Sequence, residues 1–235
     1  MNYKYLPLLL VLLLMSFSNL PTKSKPESLA INSTNNTVEE SLSVYNQLQA
    51  ASFQLPSFEC FDVALKGFNL LKEKGKIQKN IITLIDFSKS SNEKRLWVID
   101  MDTNVILFQT LVAHGRNTGE EFANAFSNQP ESYQSSLGFY TTGEVYNGKH
   151  GLSLKLDGLE KGVNDKARDR AVVIHGASYV SDTFIKQNKR LGRSLGCPAI
   201  PVEMNDKIIN VIKDKSCLFI YHPNRNQENF LKLVS

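Results

Sequence analysis

Apolar residues recur along this chain with two different periods, and the change from one to the other outlines the fold. Phe58, Phe61, Leu65, Phe68 and Leu71 follow one another at steps of 3, 4, 3 and 3 between Pro56 and Gly75. That spacing puts one apolar stripe on a helix, with a proline to start it and a glycine to stop it. Gly67 within the stripe costs about 1 kcal/mol relative to alanine, so its missing side chain points to a close approach by another backbone. The runs 81–87, 95–101 and 105–112 then read as strands. The last two are joined by Asp102-Thr103-Asn104, which predicts an antiparallel hairpin within a sheet. Trp97 belongs to the core of that hairpin, and Asp100 and Asp102 at its tip read as turn residues rather than as a catalytic carboxylate pair.

Beyond the hairpin, glycines punctuate short β-prone runs at 114–119, 136–143 and 148–154. They predict strands bending around a cleft, with binding groups on the polar segments between them. An apolar strand at 171–175 follows, and 179–189 reads as a helix or lid bordering the cleft. Pro201 with Met204, Ile208, Val211 and Ile212 gives a short amphipathic helix, and 216–223 a closing strand. There is no internal repeat and no second core-sized unit. The expectation is one α+β domain, β-dominated, over residues 55–235. Residues 19–54, rich in Ser, Asn, Thr, Lys and Pro, read as a flexible linker with a short helix at Leu42, Tyr45 and Leu48.

At the amino terminus, Leu6 to Phe17 is nearly all apolar and closes on Ser16 and Ser18. Its twelve residues fall short of the roughly 20 that span a bilayer. Residues 1–18 therefore read as a cleaved secretory signal peptide, with no stable membrane insertion afterwards and export to a periplasm or cell wall. At 42% hydrophobic content the 235-residue chain can bury a sizeable core. Its net charge is +4, from 27 Lys and Arg against 23 Asp and Glu, and the basic residues are spread along the chain. A nucleic-acid binder calls for a concentrated basic stripe, so that partner is discounted. Three cysteines, at 60, 197 and 217, leave at least one thiol unpaired within the chain. A Cys60–Cys217 disulfide is permitted, although isolated buried thiols are the simpler reading.

The chemistry concentrates in two stretches. Arg170-Ala-Val-Val-Ile-His-Gly-Ala carries His175 on a strand end, and Gly192-Arg-Ser-Leu-Gly-Cys-Pro-Ala-Ile presents Cys197 on a turn, 22 positions later. A thiol becomes a useful nucleophile near neutral pH when a base or a positive group stands beside it. Gly192 and Gly196 allow unusual backbone angles, and Pro198 holds Cys197 extended. Pro198 also lacks an amide hydrogen, so oxyanion donors must come from Leu195, Gly196 and Cys197 or from another segment. Arg193, with Arg190 and Lys189, can favour a thiolate or grip a carboxylate. A buried cysteine in a Gly/Pro turn and a satisfied core histidine fit the same residues, and spacing alone does not separate the two. A zinc site from His150, His175, Cys197 and His222 lacks the usual close-paired ligand spacing.

Val173-Ile-His-Gly-Ala-Ser-Tyr-Val, Gly192-Arg-Ser-Leu-Gly-Cys-Pro-Ala, Ser135-Ser-Leu-Gly-Phe-Tyr, Gly148-Lys-His-Gly and the 158–170 stretch together resemble the murein L,D-transpeptidase catalytic domain family, a branch of the YkuD-like fold with a GRSxGCPA motif. The resemblance runs from about Pro56 to Pro223 and implies a mixed β-sheet sandwich with a few flanking helices. It implies that Cys197 attacks the L,D-amide of a peptidoglycan tetrapeptide stem, with His175 as base, and passes the acyl group from a thioester to an amine. If water takes the acyl group, the enzyme is an L,D-carboxypeptidase. A non-catalytic wall-binding protein and a protease pairing Cys197 with His222 are the other readings. The family implies no metal and no cofactor. Gly176 would orient the imidazole through its backbone, and Arg193, Ser194, His150 and Tyr140 would meet substrate. Where the wider fold places a second histidine two positions before the cysteine, this chain has Leu195, and its His175–Cys197 spacing is longer. The acceptor and the oligomeric state stay open.

Overall fold

The stripe at Phe61, Leu65, Phe68 and Leu71 is buried on helix α1 (Phe58–Glu73), in a structure, a computed structural model, that describes residues 38–224. Ser57 caps the helix, its hydroxyl accepting from the Cys60 amide. Each large side chain of the stripe contributes about 1.5–3 kcal/mol by leaving water. Gly67 does admit a close neighbour, but the neighbour is a ring: an added Cβ would lie 2.0 Å from Phe139.

Eight strands follow: β1 (Ile81–Asp86), β2 (Leu96–Asp100), β3 (Val105–Thr110), β4 (Gly138–Gly148), β5 (Gly151–Gly158), β6 (Val173–Gly176), β7 (Ala199–Ile200) and β8 (Cys217–Tyr221). They form one continuous mixed sheet in the order β3-β2-β1-β8-β4-β5-β6-β7. The β2–β3 hairpin is antiparallel, and its tip is tied as the turn chemistry requires. Asp100 accepts from the Asp102 amide and the Thr103 hydroxyl, and Asn104 takes a positive φ of 55°. The strand at the end of the described chain is not at the edge of the sheet. β8 runs parallel to β1 and antiparallel to β4 at its centre.

Successive side chains of the central strands alternate between two cores, so both faces are covered. Ile82, Leu84, Trp97, Ile99, Phe139, Cys217 and Phe219 pack under α1. Ile85, Leu96, Val98, Tyr140, Leu218 and Ile220 face the other core, which includes Ile208, Ile209 and Ile212 of helix α3 (Val202–Ile212). A strand buried on both faces reads as a nearly continuous apolar run, as the sequence has it. A smaller cluster of Leu111, Ala113, Ala177, Val180, Leu191 and Ala199 sits beneath the excursion that carries helix α2 (Asp182–Asn188).

Residues 38–54, the described part of the stretch expected to be a linker, pack on the domain. Residues 38–46 are helical, with Val44, Tyr45 and Leu48 packed on the α1 core. Gln49 bridges to Val105, and Gln54 accepts from Trp97 Nε1 at 2.7 Å, so the segment is bonded to the sheet it was expected only to precede. The signal-peptide reading of residues 1–18 lies outside the described residues. Among those that are described, no helix is long and apolar enough to cross a membrane. Cys60 and Cys217 are both fully buried free thiols.

Candidate active site

Strands β6 and β7 run parallel with His175 opposite Ala199, and continuing that register two residues back sets Cys197 beside Val173. The contact is made: the Val173 amide donates to Cys197 Sγ at 3.4 Å. The sulfur also lies 3.6 Å from the Ala171 carbonyl, to which the thiol donates. Ala171 has φ of 53°, an unfavourable value for a non-glycine residue. Strand alternation puts Val173 and His175 on the same face. Cys197 and His175 thus line one cleft of 490 Å³, together with Tyr146, Lys149, His150, Arg170 and Tyr179.

The turn that carries Cys197 is held on three sides. Ser194 bonds within it, its hydroxyl donating to the Cys197 carbonyl at 2.6 Å and accepting from the Gly196 amide at 3.0 Å. The segment after β3 pairs with it through the Arg116 amide to Ser194 O and the Ser194 amide to His114 O. From below, Ser135 donates to the Gly196 carbonyl at 3.2 Å. Gly196 has φ of 127°, and an added Cβ would come within 2.9 Å of the Gln134 carbonyl, so only glycine fits.

His175 is 4% exposed, and its Nδ1 lies 3.0 Å from the Gly176 carbonyl. With Nδ1 donating there, Nε2 is left as the proton acceptor of the neutral ring. Burial lowers the pKa of His175; the Gly176 carbonyl opposes this, and the positive charges of His150 and Lys149 reinforce it. Burial raises the Cys197 pKa, against the Val173 amide, Arg170, its own amide and Lys149, which lower it. Both shifts favour the uncharged forms, a thiol and a neutral imidazole.

The expected substrate contacts divide. His150, at the β4–β5 hairpin tip, stacks on His175 with ring centroids 4.4 Å apart, and Leu195 stands 58% exposed at the cleft lip. Arg193 borders the cleft but is a strut: its Nη1 donates to Arg116 O, Gly119 O and Glu120. Arg190 pairs with the same Glu120. Ser194 is 5% exposed and spends its hydroxyl on the turn. Tyr140 is a correction. It is fully buried, its hydroxyl donates to Ser136 O, and burial raises its pKa, because β4 is covered on both faces. Gly196 is another, since its amide is bonded to Ser194 and is not a free oxyanion donor.

His114 is structural. Arg95 donates to its Nδ1 at 2.8 Å, its Nε2 bonds Gly119 O, and burial holds its pKa at about 4. His222 is absent from the cleft lining and packs against Phe126 with its Nδ1 bonded by the Asn224 amide. The pairing of Cys197 with His222 and the four-ligand zinc set both lose their geometry with it. Among the described residues no group of three or more His, Cys, Asp or Glu is arranged to hold a metal ion. Tyr179 opens the 179–189 stretch expected to border the cleft and does line it, whereas Arg170, Lys149 and Tyr146 line it with no role expected of them from the sequence. Their signal was position: Arg170 heads the histidine strand, and Lys149 precedes His150 in a glycine-flanked tip.

Several solved structures are similar at low identity. The L,D-transpeptidase from Mycobacterium smegmatis is 8% identical, with 61% of this chain and 59% of that chain covered and a TM-score of 0.37. L,D-transpeptidase 3 from Mycobacterium tuberculosis is 10% identical, with 61% of each covered and a TM-score of 0.39. An L,D-transpeptidase from Stackebrandtia nassauensis is 10% identical, with 80% of this chain and 93% of that chain covered and a TM-score of 0.36. The match spans about three-fifths of the length of the mycobacterial chains. No curated protein matches the sequence significantly. The sequence matches the family described as the L,D-transpeptidase catalytic domain over residues 54–221, most of the chain. The chain therefore belongs to the L,D-transpeptidase catalytic domain family.

Proposed function

We propose that the protein is an exported cysteine acyltransferase that cleaves the L,D-amide of a peptidoglycan tetrapeptide stem and transfers the acyl group to an amine. The observation that carries this reading is the pairing of Cys197 Sγ with the Val173 amide in the same cleft as His175, whose Nδ1 is tied to Gly176. His175 Nε2 takes the thiol proton as Sγ attacks the scissile carbonyl carbon. The Cys197 and Leu195 amides are the donors left on the turn for the oxyanion. Collapse breaks the C–N bond, the imidazolium gives its proton to the departing D-amino acid, and the donor remains as a thioester. An acceptor amine then loses a proton to His175 and attacks the thioester, and the C–S bond breaks.

The charge of the cleft supports a carboxylate-bearing substrate. Lys149 and Arg170 line it, Arg193 borders it tied to Glu120, and among the described residues no Asp or Glu is in its lining. Export to a periplasm or cell wall rests on the apolar run of residues 6–17.

Product analysis tests the transferase reading. Purified protein incubated with disaccharide-tetrapeptides is expected to release the terminal D-amino acid and to form L,D-cross-linked dimers. Tripeptides alone, with acceptor amines present, would make the enzyme an L,D-carboxypeptidase.

A further inference from the structure

Arg170 is unlike the other arginines around the site. Arg190 and Arg193 share the carboxylate of Glu120, and Arg168 is paired with Glu144 and Asp157. Arg170 forms no ion pair among the described residues, although it is half-buried. Its four terminal hydrogens go to neutral oxygens. Nη1 donates to Ser127 O at 2.9 Å and Ser136 Oγ at 2.6 Å, and Nη2 to Gln134 O at 2.6 Å and Ser132 Oγ at 3.3 Å. These bonds fix the guanidinium without cancelling its charge. They also place it against the nucleophile turn, since an added Cβ on Gly196 would lie 3.4 Å from Arg170 Nη2. A fixed, uncompensated cation in a partly dry cleft stabilises whatever negative charge forms beside it.

We propose that Arg170 is the positioning residue that favours the thiolate of Cys197, by holding an unneutralised charge beside it on a scaffold of neutral acceptors. When Sγ gives its proton to His175 Nε2, the cleft gains one anion and one cation. Arg170 favours the anion without taking part in the proton transfer. The other charged or titratable groups lining the cleft are Tyr146 from β4, Lys149 and His150 from the β4–β5 tip, His175 from β6, Tyr179 from the stretch before α2, and Arg193 on the turn itself. Of these, Lys149 and His150 are exposed on the hairpin tip, and Arg193 is matched by Glu120. This leaves Arg170 as the cation that is both fixed and unpaired.

The inference rests on Cys197 being the reactive thiol, but its test needs no peptidoglycan substrate and so stands apart from the transferase assay. The readout is the rate of Cys197 alkylation by iodoacetamide in the folded protein as a function of pH, measured by peptide mass spectrometry. Cys60 and Cys217 are buried and serve as internal controls. R170Q is expected to raise the pH midpoint by about one unit. R170K restores a charge while losing the fork of hydrogen bonds, and is expected to keep the midpoint near wild type even as its unfolding temperature falls. If R170Q does not fold, R170K alone carries the test. An unchanged midpoint in R170Q, or a midpoint in R170K raised by a full unit, would overturn the proposal and leave Arg170 as a clamp on the 127–136 segment.

Discussion

A histidine that accepts a proton near neutral pH is useful only while it is deprotonated, and burial keeps His175 in that state. The same physics at His114 has a larger and separable effect on stability. Its folded pKa of about 4 lies below the ordinary value of 6.5, chiefly through burial and then through Arg95. Between those two pH values the unfolded chain binds a proton that the folded chain refuses, so stability falls as pH is lowered through the window. The loss attributable to this one ring reaches about 3 kcal/mol near pH 4. Urea unfolding from pH 7 down to pH 4.5 is expected to show a shallower decline in His114→Gln than in wild type, and identical slopes would contradict the assignment. His175 and His222, whose pKa values are also lowered by burial, add to the decline in both proteins.

At the scale of the element, the site is a turn clamped between two other segments. Ser194 joins its two ends by accepting from Gly196 and donating to Cys197. Ser194→Ala leaves both partners unmet at a cost of about 1 kcal/mol, and it frees the sulfur from the Val173 register. Acyl transfer is expected to fall by at least about tenfold in kcat, beyond what an altered unfolding temperature explains. Ser194→Thr, which keeps the hydroxyl, is expected to recover most of it. Wild-type kcat in the alanine variant would show the turn to be rigid without the bond. The glycines and proline of this turn were legible in the sequence because each has a local backbone consequence. The rungs from His114 and Arg116 to Ser194 were not, because no local pattern marks which distant segment will pair with a given backbone. Tyr140 was expected to meet substrate only from the family resemblance, and that expectation fails because both faces of β4 are core here.

At the scale of the molecule, the strands were legible one by one and their order was not. The apolar runs gave β1, β2, β3 and β8, and the periodic helices gave α1 and α3. The placement of β8 at the centre of the sheet, parallel to β1, depends on contacts between the two ends of the folded unit. The same long-range closure brings β6 and β7 side by side, which is how two motifs far apart in sequence come to share a cleft. The central claim is that this closure makes Cys197 the nucleophile and His175 its base. Intact-mass measurement after exposure to a carbapenem or a tetrapeptide donor tests both at once. The account predicts one covalent adduct, located on Cys197 and lost in both Cys197→Ala and His175→Ala. An adduct that persists in either variant, or that requires His222 instead of His175, would contradict it.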